Sequence, residues 1–185
     1  MSDKIQRTPI RPISPTPAGL IVSIDAKGKP NIIALGEIFN LSVMSPVLIG
    51  IAIRDTRYSW ELIKKQKEFT INLPPATLLN TVIGCGSCSG RDVDKFARFN
   101  LTAVPSKKVK PPIIAECPVN LECKFIESHR TGDHDLFIGE VVLEHVDEDK
   151  VDANGERDES KMDPLIWLGK GFYNIGEKIG EMKWY

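Results

Sequence analysis

The sequence predicts an all-β class of fold, β-rich with a few helices, in which one antiparallel sheet curls into a closed or split barrel. Two groups of short runs and the scarcity of helical spacing predict it. The segments 18–24, 30–35, 46–53 and 68–73 are short, apolar and rich in branched residues, and glycine, proline or charged residues bound them. Such runs read as strands rather than helices. The segments 119–126 and 136–146 have the same character. Helical spacing is confined to 57–67 and, weakly, to 76–100, too little for a fold with a helix after every strand.

Taken in order, residues 1–17 are an expected extended arm, because their prolines remove backbone donors. The segments 18–24 and 30–35 flank the polar turn Asp25-Ala26-Lys27-Gly28 and read as a hairpin. PVLIGIAI, 46–53, suits a strand that lines a barrel or is buried on both faces. Trp60, Leu62 and Ile63 lie among charges at helical spacing, with Asp55 or Thr56 available as the N-cap. EFTINL, 68–73, alternates as a half-buried strand does, whereas glycine-rich 84–90 is expected to be a loop between two helical patterns. Residues 147–163 are almost wholly polar, an exposed loop, and 164–185 open apolar with aromatic residues at intervals. A single domain over 1–185 is expected.

Lysine and arginine number 24 against 25 aspartates and glutamates, giving a formal charge of −1. No global basic field recruits nucleic acid or an anionic membrane, so an anionic ligand needs a local cluster. The N-terminus carries charges and prolines where a secretory signal needs an apolar core, and 47–53 is too short to span a bilayer. A cytoplasmic protein without a membrane partner is expected, with its four cysteines as free thiols.

Arg54, Arg57 and Ser59 bracket an expected helix start, where free N–H groups and the positive dipole end favour a phosphate; spacing alone favours a solvated face. The small residues of 84–90, followed by Arg91, suit either a backbone approaching a ligand or a tight turn into a helix. Cys85 and Cys88 have the spacing of a thiol redox pair or half a zinc site, but Cys117 and Cys123 do not supply the other half. Asp133, His134 and Asp135 are neighbours on a strand and point to alternate faces, so no metal site is expected there. His134 alone is a candidate proton carrier.

In order along the chain stand Pro17-Ala18-Gly19-Leu20-Ile21, Leu35-Gly36, Ser42-Val43-Met44-Ser45-Pro46, Arg54-Asp55-Thr56-Arg57-Tyr58-Ser59, Glu68-Phe69-Thr70-Ile71-Asn72, Ser89-Gly90-Arg91-Asp92-Val93-Asp94-Lys95-Phe96 and Gly132-Asp133-His134-Asp135. This succession resembles the flavin reductase-like, FMN-binding family of flavoredoxins and archaeal FMN or ferric reductases. The resemblance implies a split β-barrel of the FMN-binding type, generally a homodimer. It implies that Asn31, Ala34, Leu35, Gly36 and Ser42 line the isoalloxazine and ribityl chain, that Arg54, Arg57 and Ser59 hold the phosphate, and that Lys95 and Phe96 close the pocket. Tyr58, Cys85 and Ser89, within or beside the matching blocks, are counted with them.

The activity implied is a flavin reductase that passes electrons from NAD(P)H through FMN to a small-molecule acceptor or redox protein. The alternatives are a flavoredoxin-like electron carrier without its own NAD(P)H activity, a thiol-disulfide protein using Cys85 and Cys88, and a pyridoxamine-phosphate oxidase-like binder on the same barrel.

Overall fold

The structure, a computed structural model, describes residues 3–180. Its elements are β1 (Thr16–Pro17), β2 (Gly19–Ile24), β3 (Pro30–Leu35), β4 (Ile38–Ser42), β5 (Leu48–Ile53), α1 (Tyr58–Gln66), β6 (Glu68–Leu73), α2 (Leu79–Ser87), α3 (Lys95–Arg98), β7 (Ala103–Val104), β8 (Ile113–Ile114), β9 (Val119–Thr131), β10 (His134–Val146), β11 (Ile166–Leu168) and β12 (Gly171–Tyr173). Within the described residues one seven-stranded antiparallel sheet runs in the order β3-β2-β6-β9-β10-β5-β4. A small sheet of β1, β11 and β12 and a ribbon of β7 and β8 accompany it.

Every residue of β2 is buried, because successive side chains alternate between two covered faces. Leu20 and Val22 join an outer layer with Ile32, Val82, Cys85 and Phe96. Ile21 joins an inner cluster with Ile51, Phe69 and Phe137, to which all seven strands contribute. A flat sheet cannot bring both of its ends to one cluster, so the sheet is curled into a barrel. Ile63 of α1 is fully buried in the same interior, and Trp60 meets Phe137 edge-on at 6.4 Å between centroids. The outer layer is roofed by α2, through Val82 and Cys85.

Two buried polar clusters pin loops to the outside of the sheet. Asn72 donates from Nδ2 to the Leu20 carbonyl at 2.9 Å, while its Oδ1 accepts from the Ile114 N–H and from Asn120 Nδ2, each at 2.9 Å. β8 is held there. The fully buried Glu122 carboxylate accepts from the backbone N–H groups of Lys107, Lys108 and Val109 at 2.8, 2.6 and 3.0 Å, and from His145 Nε2 at 2.6 Å. Burial alone favours the neutral acid, but these donors outweigh it and hold the carboxyl below the ordinary glutamate range.

Several sequence expectations are corrected. The segment 84–90 is not all loop, since α2 runs through to Ser87. Its glycine serves packing: a Cβ on Gly84 would lie 2.3 Å from Phe99 Cε1. The N-cap position of α1 is Arg57, without a side-chain cap, because Asp55 instead accepts from Arg130 at 2.7 Å. The arm ends in a strand, β1, paired with β11 as Thr16 to Trp167. Unforeseen β4 buries Ile38 while the next three residues are exposed, so it offers no periodic signal. β9 outruns its apolar stretch because its exposed end stays in register with β10 as far as Thr131 and His134. The polar loop contains two 3-10 turns, Glu148–Lys150 and Glu159–Lys161. The parts of the expected arm and C-terminal segment at 1–2 and 181–185 lie outside the described residues. No helix among the described residues is long and apolar enough to cross a membrane.

Since folding lowers the Glu122 pKa, its contribution to stability is whole above the ordinary glutamate range and drains away as pH falls through the depressed folded value. Glu122→Gln is expected to cost about 3 kcal/mol near neutral pH. Urea unfolding of both proteins should show that difference shrinking between about pH 6 and about pH 3.

Candidate functional site

The barrel is split between β3 and β5. β3 is paired with β2 alone, and the ladder of β4 on β5 runs only from Ile38 with Ile51 to Ser42 with Leu48. Past it the Ala52 N–H still donates to the Glu37 carbonyl at 3.0 Å, and Ala52 and Ile53 face the free edge of β3 across a cavity of about 390 Å³ that they line together with Asn31, Ala34 and Leu35. Pockets of this size accommodate cofactors and drug-sized ligands.

The edge of β3 has a definite polarity. The Asp25 N–H donates to the Lys29 carbonyl, and by alternation the backbone groups of Asn31, Ile33 and Leu35 turn toward β2 while those of Ile32 and Ala34 turn toward the split. The Ile32 carbonyl is satisfied by Lys95 Nζ at 2.7 Å. Ala34 therefore presents both an N–H and a C=O to whatever lies in the gap.

At the polar end stands the first turn of α1. Among the described residues Arg57 has no carboxylate partner, although it borders the cavity. Arg54 is paired with Asp133 at 2.8 Å, and Arg91 with Glu61 at 3.0 Å while lying 4.8 Å over the Tyr58 ring. Ser59 Oγ accepts from Asn31 Nδ2 at 2.7 Å. Lys95 is buried and donates to the carbonyls of Ile32 and Cys85 at 2.7 and 2.6 Å. Burial pushes its pKa down, and the charge of nearby Arg57 pushes the same way. Two adjacent cations without a carboxylate, beside the N–H groups of a helix mouth, make a receptor for an anion.

Asn31 is buried, and its Oδ1 has no hydrogen-bond partner among the described residues. A Cβ on Gly90 would lie 1.7 Å from that oxygen, so only glycine lets the loop after α2 lie against Asn31. His134 lines the cavity and bonds Asp133 Oδ1 through Nδ1 at 2.8 Å. The Asp133 carboxyl is held below its usual range by that bond first and by Arg54 as well.

Of the residues singled out in the sequence, the cavity brings together Asn31, Ala34, Leu35, Arg54, Arg57, Tyr58, Ser59, Cys85, Ser89, Lys95 and His134. Three lie outside its lining. Gly36 packs under Trp167, Ser42 donates to the Met44 carbonyl at 3.0 Å, and Phe96 belongs to the outer layer beneath α2. Sequence reasoning did not count Glu37, Thr56, Ser87, Cys88, Gly90 and Arg91, which also line it. Gly90 and Arg91 stood inside a matching block and Ser87 inside the small-residue segment 84–90, whereas Glu37 carried no signal.

Cys85 lacks the feature of an activated thiol. Burial pushes Cys85 up to about 11, with Lys95 opposing only in part, whereas a working dithiol needs one lowered pKa. Cys117 and Cys123 are likewise pushed up by burial. Cys88 is half-buried and donates to the Gly84 carbonyl at 3.3 Å.

A family model described as flavin reductase like domain matches residues 12–176. An uncharacterized protein of Archaeoglobus fulgidus is 44% identical over 114 residues, which is 62% of this chain and 64% of that protein. The aligned stretch thus spans just under two thirds of that relative's own length. The flavoredoxin of Desulfovibrio vulgaris (Miyazaki F) superposes with a TM-score of 0.89 at 30% identity, covering 98% of this chain and 97% of that one. A flavoredoxin from Methanosarcina acetivorans superposes at 0.87 and 28% identity, covering 97% and 95%.

Alkylation of the native protein with iodoacetamide near about pH 8, where a thiol of pKa about 11 is ionised in about one molecule in a thousand, should place one early adduct on Cys88. Peptide mass spectrometry should find Cys85, Cys117 and Cys123 modified only after denaturation. Early modification of Cys85 would contradict the buried, raised thiol.

Proposed function

Since the chain belongs to the flavin reductase like family, we propose that the cavity between β3 and β5 binds FMN and that the protein passes electrons from NAD(P)H through it to an acceptor. The observation that carries this reading is Arg57 beside Lys95 at the mouth of α1, two cations facing a cavity with no carboxylate to neutralise Arg57.

A monoester phosphate fits that mouth, taking a charge-assisted bond from Arg57 and further bonds from the Tyr58 and Ser59 amides. Asn31, its Oδ1 buried against Gly90, forms part of the wall, and Ala34 offers its edge N–H and C=O to a planar heterocycle. Arg54 and Ser89 stand nearby, while Leu35 and Cys85 supply apolar wall. Bound there, FMN supplies the hydride-accepting chemistry that protein side chains lack. The chain's own part is to bind and orient, to keep Lys95 as fixed positive charge near the flavin site, and to exchange a proton at His134 Nε2, since Nδ1 is engaged by Asp133.

A homodimer belongs to the same reading. Phe39, Leu41, Val43, Met44 and Val47 are exposed along β4 and the turn after it, an apolar strip that a second copy would cover.

A second reading, a flavoredoxin-like electron carrier fed by a protein partner, is favoured by the two near-full-length relatives at 30% and 28% identity, both flavoredoxins. Steady-state oxidation of NADH and NADPH by the purified protein separates the two, because a carrier shows none.

The protein is expected to copurify yellow and to release FMN rather than FAD. Arg57→Ala should weaken FMN binding about tenfold or more, the loss of one charge-assisted hydrogen bond of about 1.5–3 kcal/mol. Fluorescence titration of the flavin-free protein measures it, and an unchanged affinity would remove Arg57 from the phosphate site.

A further inference from the structure

A second cavity of about 170 Å³ adjoins the first, and Ala34, Leu35 and Gly86 line both. Its other walls are chiefly Val82 and Ile83 of α2, and Trp167 and Phe172 of β11 and β12. Trp167 and Phe172 stack at 5.4 Å with planes 28° apart. The indole N–H of Trp167 is spent on the Gly169 carbonyl at 3.0 Å, so no side chain in this wall offers a free polar group.

Size and chemistry together select the occupant. An apolar cavity of about 150 Å³ takes up benzene, so this one has room for a single six-membered ring and little more. A phosphate, a sugar or a positively charged nicotinamide would lose far more hydration without a partner here than the two ketone oxygens of an uncharged ring would. Through Ala34 the ring would abut the strand edge that the reading above gives to the flavin.

We propose that this annex holds the ring of an uncharged, single-ring electron acceptor of the quinone class. The proposal rests on the flavin reading. Overall, NAD(P)H gives up a hydride and becomes NAD(P)⁺, and the quinone gains two electrons and two protons, one from the hydride and one from solvent. Its two carbonyl oxygens become hydroxyls.

The test fills the annex from its rim. Ile83 is 46% exposed and lies outside the lining of the larger cavity, so Ile83→Trp adds bulk without touching the flavin site; Ile126→Trp, at an equally exposed position of β9, is the control. Fluorine NMR titration with 4-fluorophenol should show saturable binding that Ile83→Trp weakens about tenfold or more and Ile126→Trp leaves alone. With 2-methyl-1,4-benzoquinone as acceptor kcat/KM should fall in parallel, while reduction of ferricyanide, a charged acceptor, is unchanged. Should Ile83→Trp lower the melting temperature, Ile83→Phe fills the same space with less bulk. Flavin binding without saturable ring binding, or ring binding indifferent to both Ile83 variants, overturns this proposal alone. Ring binding by a protein that takes up no flavin overturns the acceptor role and the flavin reading together.

Discussion

A strand edge left unpaired inside a protein must find partners for every second N–H and C=O, and β3 meets this demand with a lysine instead of with β5. The buried ammonium of Lys95 bonds the carbonyls of Ile32 and Cys85 at once, tying the sheet edge to α2 and filling the place a neighbouring strand would take. Because that bond is made from the side, β5 need not approach, and the barrel stays open along β3. The lysine thus fastens α2 to the sheet edge, while the Ala34 backbone stays open to the gap. A lysine also costs more to bury than a neutral donor would, and two carbonyls without a carboxylate leave its charge only partly compensated. The gap is therefore electropositive by construction.

That local sign runs against the balance of the whole. With a formal charge of −1, the chain has no long-range field to draw an anion in, and most of its arginines near the gap are already engaged: Arg54 by Asp133, Arg91 by Glu61, Arg130 by Asp55 and Asp135. These pairs brace the β9–β10 hairpin and the loop after α2 against α1. Exposed pairs of this kind contribute little to stability, and here their effect is positional, leaving Arg57, like Lys95, facing the gap without a carboxylate among the described residues. Selectivity follows from which arginine lacks a partner more than from how many there are.

Much of the sheet was legible because its strands are short, branched apolar runs bounded by glycine, proline or charged residues, although β6, expected to be half-buried, is covered on both faces. The hairpin of β2 and β3 and the strands β5 and β6 carried apolar runs whose bounds agree with the structure to within about two residues. β4 was not legible, since an edge strand with one buried residue is held by register with β5 and not by its own pattern. The glycines of 84–90 misled because small residues permit close packing as readily as they permit turns, and at Gly84 the neighbour is Phe99. In the site, Arg57, Ser59 and Asn31 stood out only through the ordered succession of blocks, since spacing alone did not separate a ligand-facing arginine from a solvated one. Gly36, Ser42 and Phe96 also stand in matching blocks and lie outside the cavity's lining. A matching block says which backbone is shared, but the side chain's facing depends on strand alternation and on neighbours such as Trp167 that lie far along the chain.

The pairing of β1 with β11 has a consequence for synthesis. Thr16 leaves the ribosome long before Trp167, so this contact closes a long loop and its closure cost is among the largest in the fold. A nascent chain can curl β2 to β10 around the interior cluster while its aromatic hairpin is still inside the exit tunnel. During that interval Ala18, Val82 and Ile83 have no Trp167 or Phe172 over them, and the outer layer is wet on that side. Translation thus builds the barrel first and its aromatic wall last, and a truncated product ending in the polar stretch before β11 would lack that wall entirely.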